Sequence, residues 1–485
     1  LRQRVTYMKK ILLVLFLSFL TVKVFSQQFS QYNTGSLYDS FENPSQRAFI
    51  PDTSKKYATN YLFPSFNFNF FLSGDGQATL KNRAFLNQYT NSALKLGQGR
   101  NNLVFANANV YFIMLKMFTS FDGDEETGFS WQGKAEGQAL FSDETLAAFN
   151  GTQSFNSGAP YTNIFNDNYY YQTYHQLSFT YREKFNKQFF FGVKISALLG
   201  IQYQKLDVKG SRAVYDNAKD TAGLALKGVY YDSYIPGHFT SRDYLPTLRN
   251  PGASISIGAT YITEDKFILQ GNIKDLGFIH WSNHSRVYNF NNSAVIKGLS
   301  LPQREDSIYN KVYSLIHTNP TVGSFSTPTD GRAELSINKN FWIDDDNAFK
   351  YSPTLIVSKE LFFPGFVAGL VNPVQYDKYV LTLTTTYDDL KIFNLGAQFM
   401  MKTPNWEWYI GSDKLAQTIG LASDALNKNS PGINQNSAFT GASFFVGFTM
   451  KFGPVIEHPM NASVIPTGEK GFLGRLWGRL FKTNN

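Results

Sequence analysis

Long runs of strict two-residue alternation constrain this chain more than any other feature. The clearest is Tyr379 to Met401, YVLTLTTTYDDLKIFNLGAQFMM. Tyr379, Leu381, Leu383, Thr385 and Tyr387 share one face of an extended chain, and Val380, Thr382, Thr384 and Thr386 share the other. After Asp388-Asp389 the pattern resumes, with Phe393, Leu395, Ala397 and Phe399 opposed to Asn394, Gly396 and Gln398. A period of two is the signature of a β-strand. Nine residues at about 3.3 Å each, tilted roughly 40°, rise about 20–25 Å, the apolar height of an outer membrane. The segment is therefore expected to be a membrane-spanning hairpin. Its short Asp388-Asp389 turn is expected on the periplasmic side, with Tyr387 at that edge and Tyr379 at the outer one.

The same alternation recurs along the chain. Phe66, Phe68 and Phe70 alternate with Asn67 and Asn69. Val104 to Phe112, Leu177 to Tyr181, Phe189 to Tyr203, Ile255 to Tyr261, Ala333 to Ile337 and Phe444 to Phe452 repeat it. With weaker segments added, the pattern predicts an all-β fold, a transmembrane antiparallel β-barrel of about 14 strands. A soluble sandwich also alternates, but its strands are usually shorter and must bury one apolar side. Here the alternate face is polar or glycine, and aromatics gather at strand ends. Aromatic residues are 16% of the chain, while the mean hydropathy of −0.26 is that of a soluble protein. A barrel reconciles the two, because only alternate residues face lipid.

The beginning of the chain reads as an export signal. Residues 1–7 precede Met8, Lys9-Lys10 are positive, and Ile11 to Leu20 is an apolar run of ten residues. Small residues at Val24 and Ser26 place cleavage between Ser26 and Gln27. No later stretch is long and apolar enough for a helical span. The expected organisation is 1–26 upstream residues and signal, 27–60 a polar leader, 61–453 the barrel, and 454–485 a tail. Helical inserts are expected at Leu80–Leu96, Thr145–Phe149 and Gly298–His317.

The tail contains KGFLGRLWGRLFK at 470–482. Phe472, Leu473, Leu476, Trp477, Leu480 and Phe481 fall on one helical face, and Arg475 and Arg479 lie on the polar side. Such a cationic amphipathic helix is expected to sit at a membrane surface or dock a partner on the periplasmic side.

Local chemistry is sparse. There is no cysteine, so disulfides and thiolate sites are excluded. His280 and His284 are four apart in HWSNH, but they read as a strand end and turn rather than a metal site. The carboxylates of DGDEE (Asp122–Glu126) and of Asp344–Asp346 lack calcium-loop spacing. No phosphate loop, dinucleotide fingerprint or nucleophile elbow is present. No cofactor and no enzymatic activity are expected. Five of the 45 basic residues lie in the first 26 positions, which leaves 40 against 37 acidic. So even a balance gives no reason to expect nucleic acid as a partner.

Four segments together carry a family resemblance: FENPS (Phe41–Ser45), LAAFNG (Leu146–Gly151), DLGFIHW (Asp275–Trp281) and WEWYIGSDKL (Trp406–Leu415). They resemble a Bacteroidota outer-membrane family catalogued as domain of unknown function 5723, itself distantly similar to FadL and PorV barrels. FENPS has Ser45 where FadL-like chains commonly have alanine. The resemblance spans residues 28–453 and implies an outer-membrane location and a 14-stranded barrel; it transfers no catalytic residue. Two roles are expected from it. In a transport role, Asn67, Asn69, Thr382, Thr384 and Gln398 line a lumen for a hydrophobic small molecule, and Leu80–Leu96 plugs or gates it. In an accessory role, the rim or tail docks a periplasmic or secretion-system protein. An outer-membrane hydrolase is the outsider.

Overall fold

The computed structural model describes residues 29–48, 55–88, 93–118, 125–234, 240–343, 349–362, 365–388, 392–426 and 440–455. The signal segment with its Ser26–Gln27 junction and the tail helix 470–482 lie outside the described residues, as do Asp122–Asp124 and Asp344–Asp346.

The strands close into an antiparallel barrel of 14. In chain order they are β1 (Lys55–Thr59 and Ser65–Ser73), β2 (Asn101–Phe118), β3 (Glu125–Ser142), β4 (Asn168–Lys184) and β5 (Phe189–Asp216). There follow β6 (Pro251–Ile262), β7 (Phe267–Trp281), β8 (Phe325–Pro328 and Arg332–Lys339) and β9 (Phe349–Tyr351 and Thr354–Glu360). The last five are β10 (Phe366–Tyr376), β11 (Tyr379–Asp388), β12 (Phe393–Lys402), β13 (Trp406–Ser412) and β14 (Thr440–Val455). Each pairs with its neighbours, and β14 closes on β1 through Phe66 opposite Val446 and Phe68 opposite Phe444. Closure leaves no unpaired edge, which is what a sheet in lipid requires. The barrel thus begins at Lys55 and ends at Val455, slightly beyond the 61–453 span read from the pattern.

Alternation maps onto the wall as the period of two demands. On β11, Tyr379, Leu381, Leu383 and Tyr387 are exposed on the outside, while Val380, Thr382, Thr384 and Thr386 are buried inside. Leu335, Leu355, Leu370 and Ile195 continue an apolar outer belt. None of the described helices is long and apolar enough to cross a membrane.

One orientation is corrected. The breaks between β2 and β3, β4 and β5, β6 and β7, β10 and β11, and β12 and β13 fall at one end together with Lys55 and Val455, here called the inner end. The strand ends joined by the longer connections, β1 to β2, β3 to β4 and β13 to β14, fall at the outer end. β11 is odd-numbered and runs from inner to outer, so Tyr379 marks the inner edge and Tyr387 the outer. The connection after Asp388 is on the opposite side from the end of β14. Turn length misled here because two outer connections, 361–365 and 389–392, are also short; strand parity decides.

The wall is uneven in height. β5 runs 28 residues, and only its first half pairs with β6. Its second half pairs with Thr221–Asp232, which pairs in turn with Arg286–Lys297. This three-stranded apron rises above the rim on the outer side. Five short helices accompany the strands: α1 (Leu37–Glu42), α2 (Gln77–Leu86), α3 (Asp143–Ala148), α4 (Arg304–Ile316) and α5 (Leu415–Leu426). The insert at 298–317 contains α4, while those at 80–96 and 145–149 overlap α2 and α3, which start three and two residues earlier; all three helices lie in outer connections.

Candidate functional site

The lumen is filled by the leader. Residues Phe29–Ala48 fold into the barrel as a short 3-10 turn and α1, almost wholly buried. α1 starts at Ser36, whose side chain accepts a hydrogen bond from Asp39 N at 3.2 Å, a standard N-cap. Leu37 and Phe41, four apart, lie on one face and pack with Tyr38 against Tyr111, Met114, Val380, Met400, Tyr409 and Phe445 of the wall. Burying each such side chain contributes about 1.5–3 kcal/mol. Phe29 and Tyr32 pack at the other side against Ile356, Val367 and Val371. The expectation that Leu80–Leu96 plugs the lumen is therefore corrected: the leader does so, and α2 sits in the outer loops.

The plug is tied to the wall by polar bonds that account for its buried backbone groups. Glu407 Oε1 accepts from Leu37 N at 3.0 Å, capping the start of α1. Lys116 Nζ donates to Ser40 O at 3.2 Å, and Arg182 Nε donates to Ser45 O at 3.0 Å. Glu42 pairs with Lys274 and accepts from the Tyr111 hydroxyl at 2.6 Å. Two glycines make room. A Cβ on Gly192 would stand 2.0 Å from Pro44 O, and one on Gly258 would stand 2.3 Å from Asn43 Oδ1. These glycines face each other across β5 and β6. The close approach of the Asn43-Pro44-Ser45 turn demands both, which gives the FENPS segment a mechanical meaning.

The five lumen candidates divide by contact. Gln398 accepts a hydrogen bond from Gln31 Nε2, and Thr384 Oγ1 lies 3.0 Å from Ser30 Oγ. Asn69 Oδ1 accepts from Lys414 Nζ at 2.5 Å. Thr382 is fully buried, and Asn67 lines a residual space of about 70 Å³ beside Tyr38 and Asp39. That space reaches Asp275, which sits in a bulge of β7 with φ of 48°. The bulge turns Asp275 inward to meet Lys134 at 2.5 Å, Lys194 at 3.0 Å and Gln176 at 2.9 Å.

The large space lies above the plug, at the outer end. It is a cavity of about 970 Å³ between the apron, α3 and α4. Leu206 and Val208 of β5, Leu224 and Leu226 of the apron, and Ile308 and Ile316 of α4 form its apolar wall. α4 explains itself: Ile308, Val312, Leu315 and Ile316 follow helical spacing, and Glu305 and Asp306 in its first turn suit the helix dipole. α3 is capped by Ser142, which accepts from Thr145 N at 3.1 Å. Its Glu144 Oε1 gathers the N–H groups of Gly97, Gln98 and Gly99 at 2.7, 3.1 and 3.1 Å, pinning the 93–100 loop over the mouth.

Polar groups mark the cavity's edges. Burial raises the Asp232 carboxyl to about 6, against hydrogen bonds from Tyr234 N and the Tyr230 hydroxyl and the charge of Arg286. Burial likewise raises Asp167 to about 6, although Thr145 and Ser142 N donate to it. Burial pushes His317 below its usual value. Its ring stacks on Tyr313 at 3.8 Å and meets Tyr230 and Tyr288 edge-on, each at 4.9 Å. Sequence reading missed this cavity and the plug. The available signals were the long uninterrupted β5 pattern, the 304–316 helical spacing, and the Ser36-capped Leu37/Phe41 pair.

His280 lies at the end of β7 with its ring nitrogen 3.1 Å from Ser326 Oγ. Among the described residues, no group of three or more His, Asp or Glu side chains is placed to hold a metal ion.

Comparison with known proteins follows from this geometry. Residues 48–413 match the family described as "Family of unknown function (DUF5723)". The chain belongs to this family. The match begins where the plug ends, so it covers the wall and not Phe29–Arg47. No curated protein matches the sequence. Among solved structures, the chain aligns with the Pseudomonas putida toluene transporter TodX at 7% identity and a TM-score of 0.41, covering 89% of this chain and 95% of that one. It aligns with a Pseudomonas aeruginosa FadL homologue at 11% identity and 0.40, covering 88% and 96%. It aligns with the translocator domain of the autotransporter NalP from Neisseria meningitidis at 7% and 0.32, covering 83% and 90%.

Proposed function

We propose that this protein is a non-enzymatic outer-membrane barrel that binds a hydrophobic small molecule in its outer cavity and passes it inward. The supporting observation is the cavity itself. A cleft of about 970 Å³, largely apolar and partly open, lies above a plugged lumen. Empty apolar space of that size in a protein otherwise packed to density is the default mark of a ligand site. The apron and α4 exist to build it, since neither contributes to barrel closure. The apolar outer belt, the export signal and the closed barrel support the outer-membrane location. Of the five lumen residues, Thr384 and Gln398 then act as wall contacts that hold the plug, and passage requires the plug to shift.

A second role, as a closed scaffold for a periplasmic or secretion-system partner, is favoured by the tightness of that plug. One measurement separates them. With the protein in nanodiscs, a neutral apolar fluorophore such as N-phenyl-1-naphthylamine should brighten saturably over empty nanodiscs. Replacing Leu226 by Lys should abolish the saturable part. A signal equal to that of empty nanodiscs would remove the transport role and leave the scaffold.

A further inference from the structure

The outer cavity has a chemical sign as well as a size. Among the described residues its lining includes four carboxylates, Asp167, Asp232, Glu305 and Asp306, and neither lysine nor arginine. Aromatic faces stand among them: Phe149, Phe165, Tyr169, Tyr215, Tyr230 and Tyr313. From the observations already given, we infer that the cavity selects a hydrophobic molecule bearing a positive charge, an amine or quaternary ammonium with an apolar body, over an anionic amphiphile such as an alkyl carboxylate. This rests on the cavity being the ligand site proposed above.

The physical argument has three parts. Aromatic faces attract cations through the ring quadrupole, and quaternary ammonium is the group such cages hold best. An anion moved into an apolar cavity without a lining cation loses hydration and gains no partner, which is costly. A cation in the same place gains carboxylate partners. The surrounding charges qualify the count without changing its sign. Arg83 pairs with Glu305 at 2.9 Å from outside the cavity, and Arg286 stands near Asp232. Arg304 directs Nε to Phe149 O at 2.6 Å. Asp167 accepts from Ser142 N and the Thr145 hydroxyl, with Glu144 nearby. Asp306 is exposed at the first turn of α4. Burial of His317 disfavours its charged form, which works against a competing positive charge there.

The inner mouth differs. A second space of about 540 Å³ beneath the plug is lined by Arg47, Arg182, Lys184, Lys187, Lys350 and Lys402, with no lining carboxylate among the described residues. Any cationic preference therefore belongs to the outer cavity alone, and a variant there reports on it without interference from the inner end.

The test uses three probes of one shape: phenylbutyltrimethylammonium, 4-phenylbutanol and 4-phenylbutanoate. Each competes with the neutral fluorophore on the full chain in zwitterionic nanodiscs at pH 7.5. The ammonium should bind at least ten-fold tighter than the carboxylate, with the alcohol between them. Asp306→Lys, at an exposed position that tolerates change, should narrow that gap several-fold. Asp232→Asn should narrow it without altering shape. Lowering the pH to 5, below the raised values of Asp167 and Asp232, should weaken the ammonium and leave the alcohol unchanged. If the alcohol binds and the carboxylate binds as tightly as the ammonium, the charge selection is wrong and the cavity reading stands. If the ammonium preference survives both variants, these carboxylates do not cause it and the inference fails. If no probe binds, including the alcohol, the ligand site and the inference fall together.

Discussion

Replacing Lys274 by Met should loosen the plug. Lys274 pairs with Glu42 of α1; Lys274 is buried and the Glu42 side chain is only 12% exposed. Methionine keeps the length and apolar stem and removes only the charge. Glu42 would retain the Tyr111 hydroxyl at 2.6 Å, with Lys134 and Lys194 beyond it committed to Asp275. Breaking a buried pair by deleting one partner costs about 3–5 kcal/mol. The chain can avoid that cost by letting the plug leave the lumen, where Glu42 regains water. If the cost falls wholly on the docked state, the undocked population rises by roughly 10²- to 10⁴-fold, at about 1.36 kcal/mol per factor of ten. The assay is single-channel conductance in planar bilayers, with protease access to residues 29–48 as a second readout. Wild type should be closed almost throughout, and Lys274→Met should open in frequent events. Adding Glu42→Gln should restore closure, because the double change leaves no unpaired charge. A Lys274→Met protein with wild-type conductance and a protected plug would refute the reasoning.

Gly192→Leu should displace the plug at Pro44, at or above the ~1–3 kcal/mol usual for overpacking, and raise protease access to residues 29–48. Phe155→Ala removes the ring stacked on Tyr215 at 4.0 Å and should cost about 3–5 kcal/mol locally, seen as faster hydrogen exchange across 152–165 with barrel melting unchanged. Asp232 titrates near 6 in the folded apron, above its unfolded value. Its protonated form therefore adds stability that is full below about pH 4 and is lost as pH rises through 6. Apron exchange protection should fall by up to about 3 kcal/mol from pH 4 to pH 7.5, and Asp232→Asn should flatten the change.

How far the sequence could be read depended on which interactions were local. Strand existence follows from alternation, and Tyr379–Tyr387 behaves on the wall as its pattern implies, because face assignment is intrinsic to the strand. Its direction was misread, because direction depends on counting every strand before it. The plug was illegible as a plug. Phe29–Ala48 is polar in sequence, and its buried partners Lys116, Arg182, Lys274 and Glu407 lie 76 or more residues away in the chain. Gly192 and Gly258 look like lumen filler until the Asn43-Pro44-Ser45 turn is seen against them. The Lys470–Lys482 helix and the Ser26–Gln27 junction remain as the sequence presents them, outside the described residues. The cavity could have been suspected from Arg304–Ile316, whose apolar stripe needs a partner. Its chief partner, the apron strand Arg286–Lys297, lies just upstream, but the cavity behind needs Thr221–Asp232 and the second half of β5, about 100 residues upstream, to complete it.

The central claim is that a hydrophobic ligand occupies the outer cavity. Photolabelling tests it most directly. A neutral alkylbenzene carrying a diazirine would be activated on the full chain in nanodiscs, and the labelled peptides mapped. The account predicts label on Thr221–Asp232 and Arg304–Ile316, removed by excess unlabelled 4-phenylbutanol. Label confined to the outer belt at Leu335, Leu355 and Leu370, and unaffected by competitor, would contradict it.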